Sequence, residues 1–292
     1  MMKEFTQDKK VLIVGLGLIG GSYAQGLSAN GYEVGCVVRR QETLDFALSA
    51  GFVNHGRVGA DEAYIGEFDV IVLALYPKVL LDWVRKYQGS FKSGAVLTDV
   101  TGVKSGIVPA LQAILRYDVE FVPAHPMAGR EVYGVENSDC SIFHNANFII
   151  TPTEKNTAAA VMLVEEMAAV LRFKRVSRLS PEEHDEMIGF LSQLTHCIAV
   201  ALMTSKDSEH LVDYTGDSFR DLTRIARINE NMWTELFLEN KTRLLEQMDL
   251  FLKQFSQLRQ ALADEDESAM KEMMRLSTKR RAYFDKDKED SR

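Results

Sequence analysis

Cysteine is scarce. Cys36, Cys140 and Cys197 are the only three in 292 residues, isolated and odd in number. A disulfide framework and the paired spacing of a zinc site are both excluded as readings, and no metal is expected. The N-terminus, MMKEFTQDKK, has no apolar signal region. No apolar run is expected to approach the roughly 20 residues of a bilayer span. A soluble, cytoplasmic chain with no membrane role is expected. Positive charge is also short: 34 Lys and Arg face 42 Asp and Glu, a net charge of −8. That argues against a nucleic-acid partner. It leaves an anionic small molecule open, because local basic positions can overrule the net charge. No repeat and no low-complexity linker interrupt the sequence.

The length fits two ordinary domains. In the first half, short apolar runs alternate with amphipathic stretches. Residues 11–15, 32–38, 69–76, 95–100, 119–124 and 146–152 are β-branched and nearly continuous in apolar character, as buried parallel strands are. Helical patterns occupy 19–30, 41–50, 77–87 and 103–115, with a further helix at 156–171 and a short strand near 172–177. This is a βαβ series, hence a mostly parallel sheet with right-handed crossovers.

After Ser180 the strand signals stop. Ser180, Pro181, Glu182 and Glu183 read as an N-cap, a first-position proline and a first turn of acids. The following stretch, 182–206, is apolar nearly all round, which predicts burial or a subunit interface. Helical patterns at about 230–264 and 266–280 complete an all-α second half. The final charge run, 285–292, reads as a solvated tail. Two domains are expected, 1–178 and 179–292, the second serving substrate binding and dimerisation.

VLIVGLGLIGGS places Gly15, Gly17 and Gly20 in G-x-G-x-x-G spacing, directly after the first strand and at a helix start. The first glycine permits the tight turn. The second lets backbone approach a pyrophosphate, and the third lets helix and strand pack closely. Leu18 and Ile19 open the helix whose N-terminus would meet the phosphates. These signals imply a Rossmann-type first domain. An acid is then expected at the end of the second strand to bind the ribose 2′-hydroxyl. The chain has Val37 and Val38 there, followed by Arg39 and Arg40, with Glu42 placed in the next helix. Arginines there suit a 2′-phosphate, so the cofactor is read as NAD or NADP. Two solvated surface arginines are the plainer alternative.

GLGLIGGS, DVTGVK, HPMAGREVYG, SPEEHD, SQLTH and FRDLTRIA occur in this order from residue 15 to residue 226. In order and spacing they resemble the prephenate and arogenate dehydrogenases of tyrosine biosynthesis, over about residues 10–265. HPMAG together with the glycine loop is the specific part. The resemblance implies oxidative decarboxylation of prephenate to 4-hydroxyphenylpyruvate, or of arogenate to tyrosine. It implies that His125, expected at the end of the fifth main strand, takes the proton of the ring hydroxyl. Pro126 would hold His125 extended.

Arg224 matches the arginine that binds a substrate carboxylate, a task for which a bidentate fork suits better than an ammonium. Arg220 and Arg227 are weaker candidates. His196 and Gln193 are polar groups on a helix expected to be buried, so each needs a partner, and substrate is one. Glu131 matches a glutamate at the pocket mouth and could pair with Arg130. Lys104 would meet a carboxylate or cap its loop. His184 is expected in a structural or interface role, and Trp233 in packing. The chain departs from the family at Gly102, where a serine is usual near the histidine; Thr101, Ser105 or a water are the substitutes considered.

Two other readings stay open. One is a related Rossmann imine or keto-acid reductase, against which HPMAG argues. The other is a non-catalytic cofactor-binding sensor. A homodimer through the helical domain is expected. With no stretch assignable to an ACT-type domain, feedback by tyrosine would act at the catalytic site or the dimer interface.

Overall fold

The computed structural model describes residues 4–207 and 209–284. The charge run at 285–292 lies outside the described residues. Nine strands form two sheets among them. The larger joins β1 (Lys10–Val14), β2 (Glu33–Val38), β3 (His55–Val58), β4 (Val70–Leu73), β5 (Val96–Asp99) and β6 (Glu120–Phe121) in the order β3-β2-β1-β4-β5-β6. All of its pairings are parallel. This is the doubly wound order that reverses beside β1, where ligands bind at the C-terminal strand ends. The register sets Val14 beside both Val37 and Leu73, and Leu73 beside Asp99, so those ends share one edge.

Alternation along β1 builds two cores. Val11 and Ile13 pack on one face with Tyr23, Ala24 and Leu27 of α1 (Leu18–Ala29). Leu12 and Val14 pack on the other with Leu80 and Val84 of α4 (Pro77–Tyr87). Between these lie α2 (Gln41–Ser49) and α3 (Glu62–Ile65); α5 (Ile107–Ile114) comes after β5.

The run at 119–124 is not one strand. It divides into β6 and β7 (Ala124–Pro126), which pairs antiparallel with β8 (Asn147–Ile150) in a second sheet of order β7-β8-β9. Pro123 accounts for the break. Val122 still donates to Leu97 O at 2.9 Å, but proline has no N–H with which to continue a ladder. His125 therefore stands opposite Ile149 inside the second sheet, not at the end of a main-sheet strand. The edge strand β3, HGRV, is half polar and carried no apolar signal.

The second sheet is completed by α6 (Ala158–Val170) and β9 (Arg175–Arg178). The rest is helical: α7 (Pro181–Ile188), α8 (Thr195–Thr204), α9 (Asp217–Thr223), α10 (Glu230–Glu239), α11 (Lys241–Ala263) and α12 (Glu267–Arg281). A π-helical turn, Gly189–Leu194, joins α7 to α8. The expected helix at 230–264 is broken at Asn240, whose amide is buried and engaged with other groups. Pro181–Thr204 is continuous, and by length and composition alone it is apolar enough to cross a membrane. That corrects the expectation that no such run exists. Its first turns are instead committed to protein: Pro181, His184, Asp185 and Ile188 are all buried.

By contacts the chain divides into two compact units, one ending at Lys241 and the other beginning at Thr242. Residue 178 marks where strands give way to helices. The contact division falls later because α7 is tied back to the loop after β5: Asp185 accepts the backbone N–H groups of Lys104 and Ser105 at 2.8 and 2.7 Å.

Candidate active site

The glycine turn sits where β1 meets α1. Gly15 has φ +92°, and a Cβ there would lie 2.5 Å from Ala74 O. A Cβ on Gly20 would lie 2.0 Å from Gly15 O. These two positions are closed to larger residues by the chain itself. Gly17, the N-cap of α1, has open space where its Cβ would be. This is the face on which a diphosphate can approach backbone N–H groups. Leu18 is buried beneath it, and Ile19 packs against the core. Gly15 N–H donates to Val37 O at 2.9 Å, which ties the turn to the end of β2. Arg39 and Arg40 come directly after that end and are exposed.

His125 is positioned by a second histidine. Its Nδ1 lies 2.9 Å from Nε2 of His184, and Nδ1 of His184 lies 2.8 Å from Oδ1 of Asp185. A carboxylate only accepts, so His184 Nδ1 carries a proton. In the neutral ring Nε2 is then an acceptor, and His125 Nδ1–H donates to it. The free lone pair of His125 falls on Nε2, beside Gly102, whose missing Cβ would lie 3.7 Å away. Burial, the neighbouring His184 and the Lys104 ammonium hold His125 well below the ordinary histidine range. Burial lowers His184 too, although Asp185 opposes it. Burial raises Asp185, but hydrogen bonds from His184 and Ser105 outweigh that and leave it lowered. The result is a neutral imidazole with its basic nitrogen fixed in direction.

Thr101 and Lys104 are placed otherwise than as substrate contacts. Lys104 is fully buried, and its Nζ donates to Asp99 Oδ2 at 2.6 Å, Ala124 O at 2.6 Å and Thr101 Oγ1 at 3.2 Å. Thr101 is buried with its hydroxyl against Asp99 Oδ2 and Val103 O. Asp99 Oδ1 accepts Ala124 N–H at 3.0 Å. These groups pin the loop after β5 to the residue before His125. The hydroxyl of Ser105 donates to Pro181 O at 3.1 Å, so it too is turned to the protein. Neither hydroxyl replaces the absent serine. Gln193 is corrected likewise: its Nε2 donates to Leu236 O at 3.0 Å and its Oε1 accepts from Asn240 at 2.7 Å. Both ends of the amide are used.

Arg224, Glu131 and His196 come together. Arg224 forms an ion pair with Glu131, and both act electrostatically on His196. Arg130 pairs with Asp139 at 2.9 Å instead of Glu131. His196 Nδ1 lies 2.8 Å from Ser192 O and so carries the proton, leaving Nε2 as an acceptor. Its ring lies 3.7 Å from that of Trp233, at 31°. Trp233 thus serves the histidine's orientation as well as packing. From the same helix, Leu236 reaches the Gly102 position, so α10 touches both clusters. Arg220 pairs loosely with Asp217 at 3.6 Å. His55 binds Tyr64 and Glu33, away from this region. Among the described residues, no group of three or more His, Cys, Asp or Glu is placed to hold a metal.

Comparison with known proteins bears on what these groups serve. The family model described as prephenate dehydrogenase, nucleotide-binding domain, matches residues 27–175. The one described as prephenate dehydrogenase, dimerization domain, matches residues 180–276. The chain belongs to the prephenate dehydrogenase family. A prephenate dehydrogenase of Lactococcus lactis is 32% identical over 90% of this chain and 73% of its own length. A cyclohexadienyl dehydrogenase of Zymomonas mobilis is 28% identical over 94% of this chain and 96% of its own. The crystal structure of the Aquifex aeolicus prephenate dehydrogenase with hydroxyphenyl propionate and NAD+ superimposes with a TM-score of 0.86. It is 29% identical and covers 94% of this chain and 98% of that one.

Within this family member, two site residues escape sequence reasoning. His184 is expected there only in a structural or interface role, and Asp185 carries no expectation at all. A signal is nevertheless present: Pro181, His184, Asp185 and Ile188 recur at helical spacing, which puts an adjacent histidine and acid on the buried stripe of α7. Two buried titratable groups there require partners.

Proposed function

We propose that the chain catalyses the oxidative decarboxylation of prephenate to 4-hydroxyphenylpyruvate with a nicotinamide dinucleotide. The observation that carries the site assignment is the Asp185–His184–His125 chain, which delivers an unprotonated Nε2 at the Gly102 face. The dinucleotide would lie on the glycine turn, where Gly17 leaves room for its diphosphate, and when bound it supplies the hydride acceptor. His125 Nε2 accepts the C4 hydroxyl proton as hydride leaves C4 and CO₂ leaves C1. The electron pair freed by decarboxylation completes the aromatic ring. The phenolic oxygen then recovers its proton from the imidazolium. Arg224 binds a substrate carboxylate, and His196 offers Nε2 as an acceptor. Glu131 holds the Arg224 guanidinium at the pocket mouth.

Arogenate is the second candidate substrate, since it differs by an amino group in place of a keto group on the side chain. Initial rates with prephenate and arogenate, monitored by reduced-nicotinamide absorbance, decide between them. Turnover of neither would defeat the reading. We propose further that the chain is a homodimer through its helical region. Met187, Phe190, Leu191 and Met203 on 181–204 are exposed, and the matching family model describes this region as a dimerization domain. Light scattering at micromolar concentration should give twice the chain mass. A cytoplasmic location belongs to the same proposal and is supported by the three free thiols.

A further inference from the structure

We infer that the dinucleotide site takes a 2′-phosphorylated cofactor, with Arg39 and Arg40 as the groups that read the phosphate. The inference rests on the dinucleotide site proposed above and adds its selectivity.

The position is set by the register. In a doubly wound sheet, the adenosine ribose of a dinucleotide on the first βα turn lies over the end of the second strand. Here that end is fixed beside the glycine turn, because Val37 pairs with Val14 and its carbonyl takes Gly15 N–H. A site for an unphosphorylated ribose needs a carboxylate at this strand end to accept from the 2′- and 3′-hydroxyls. Val37 and Val38 stand there, 6% and 4% exposed. Val38 O is also occupied, by Gly59 N–H at 2.8 Å. The strand end therefore offers no carboxylate for a ribose diol.

The next two residues are cationic. Arg39 and Arg40 are both exposed, and neither guanidinium has a hydrogen-bond or ion-pair partner among the described residues. Of the two acids that follow in α2, Asp45 is engaged and Glu42 is not, among the described residues. Asp45 accepts from Gln41 at 2.8 Å, one turn along α2. Arg40 helps line a hollow of about 210 Å³ with Glu42, Thr43, Phe46, Val135 and Glu136. A guanidinium fork binds two phosphate oxygens at once, and Thr43 can add a hydroxyl donor. Glu42 and Glu136 line the same hollow and oppose a phosphate. Glu42, two residues after Arg40, could also turn to a ribose diol, so the balance between Arg40 and Glu42 is what an experiment must read.

The test separates this subsite from the activity. Binding of adenosine 2′,5′-bisphosphate and of 5′-AMP to the whole protein is measured by calorimetry, with no substrate present. Affinities for NADP+ and NAD+ are measured alongside. The bisphosphate and NADP+ should each bind about 10-fold or more tighter than the unphosphorylated partner. Arg39→Ala and Arg40→Ala should each lower the NADP+/NAD+ affinity ratio by about 10-fold. Glu42→Gln should raise it. The surface positions of all three let the variants fold, checked by their melting temperatures. If the bisphosphate binds no better than 5′-AMP, or if neither arginine changes the ratio, the inference is wrong even where prephenate is oxidised. If the 2′-phosphate is read but neither prephenate nor arogenate turns over, the subsite stands and the proposed reaction falls.

Discussion

His125 Nδ1 lies 2.9 Å from His184 Nε2, and His184 is in turn held by Asp185 at 2.8 Å. The three side chains come from a strand of the small sheet and the first turns of α7. Asp185 also takes the two backbone amides that begin the approach to α5. One carboxylate therefore sets both a loop and a tautomer. The tautomer matters because only a neutral His125 with Nε2 unprotonated can accept a proton at the Gly102 face.

His184→Leu should lower kcat by about 10- to 100-fold while cofactor affinity holds, since the base stays but loses the group that orients it. His184→Gln offers an amide oxygen to His125 Nδ1–H and should recover part of the loss. His125→Asn should cost more, about 10²- to 10⁴-fold. Steady-state rates with titrated cofactor binding give all three. Equal activity of His184→Leu and wild type would remove His184 from the mechanism.

The pH dependence has a definite sign. His125 and His184 are lowered from the ordinary value of 6.5, so both stay neutral below the pH at which a free histidine charges. The acid limb of kcat/KM should fall below pH 6.5. For stability, a histidine whose folded pKa is depressed contributes fully above its unfolded value. That contribution is lost as pH drops from about 6.5 toward the lowered folded values, because the unfolded chain binds protons first. Denaturant midpoints between pH 5 and pH 8, as rough bounds, should show the loss on the acid side. A flat profile there would contradict the buried neutral pair.

The parallel sheet, the glycine turn and the helical second half were legible because each is written in local periodicity and spacing. His125 and Arg224 were singled out through motif resemblance, and their roles rest on the proposal above. The relay was not, since its members are 59 residues apart and joined only when α7 folds onto the small sheet. Thr101 and Gln193 misled, and Lys104 was left between substrate and its own loop, for one physical reason. A polar side chain in a motif can serve substrate or satisfy a buried neighbour, and sequence does not show which partners burial supplies. Val38 followed by Arg39 was readable, because the end of β2 has a fixed relation to the glycine turn.

Gly102→Ser tests whether this chain has dispensed with the hydroxyl its family usually carries. The added Cβ would meet His125 Cε1 and Nε2 and Leu236 Cδ2 at 3.7 Å, ordinary contact distances. The variant should fold with a melting temperature close to wild type. Activity should stay within a few-fold, as the imidazole is already fixed through Nδ1. A gain of 100-fold would show that orientation by His184 alone is incomplete.

Arg224→Lys should raise KM for the substrate by about 10-fold with kcat changed less, because a point charge loses the bidentate fork. Both partners of the Arg224–Glu131 pair are exposed, so the stability change should stay under about 1 kcal/mol. A fall in kcat at constant KM would place Arg224 at the reacting atoms instead.

Lys104→Met should be the most damaging of these changes to the fold. The ammonium and the Asp99 carboxylate are both fully buried, 2.6 Å apart. Burial lowers the lysine, and Asp99 opposes that shift. Removing the cation leaves Asp99 in the interior with only the Thr101 and Ala124 donors. Breaking such a pair costs about 3–5 kcal/mol. The loop after β5 and the residue before His125 would lose their shared anchor at Ala124 O. Chemical denaturation should show that loss, and Lys104→Met/Asp99→Asn should recover part of it by removing the stranded charge. A double variant no more stable than the single one would mean that the lysine stabilises through its Ala124 bond and not through Asp99.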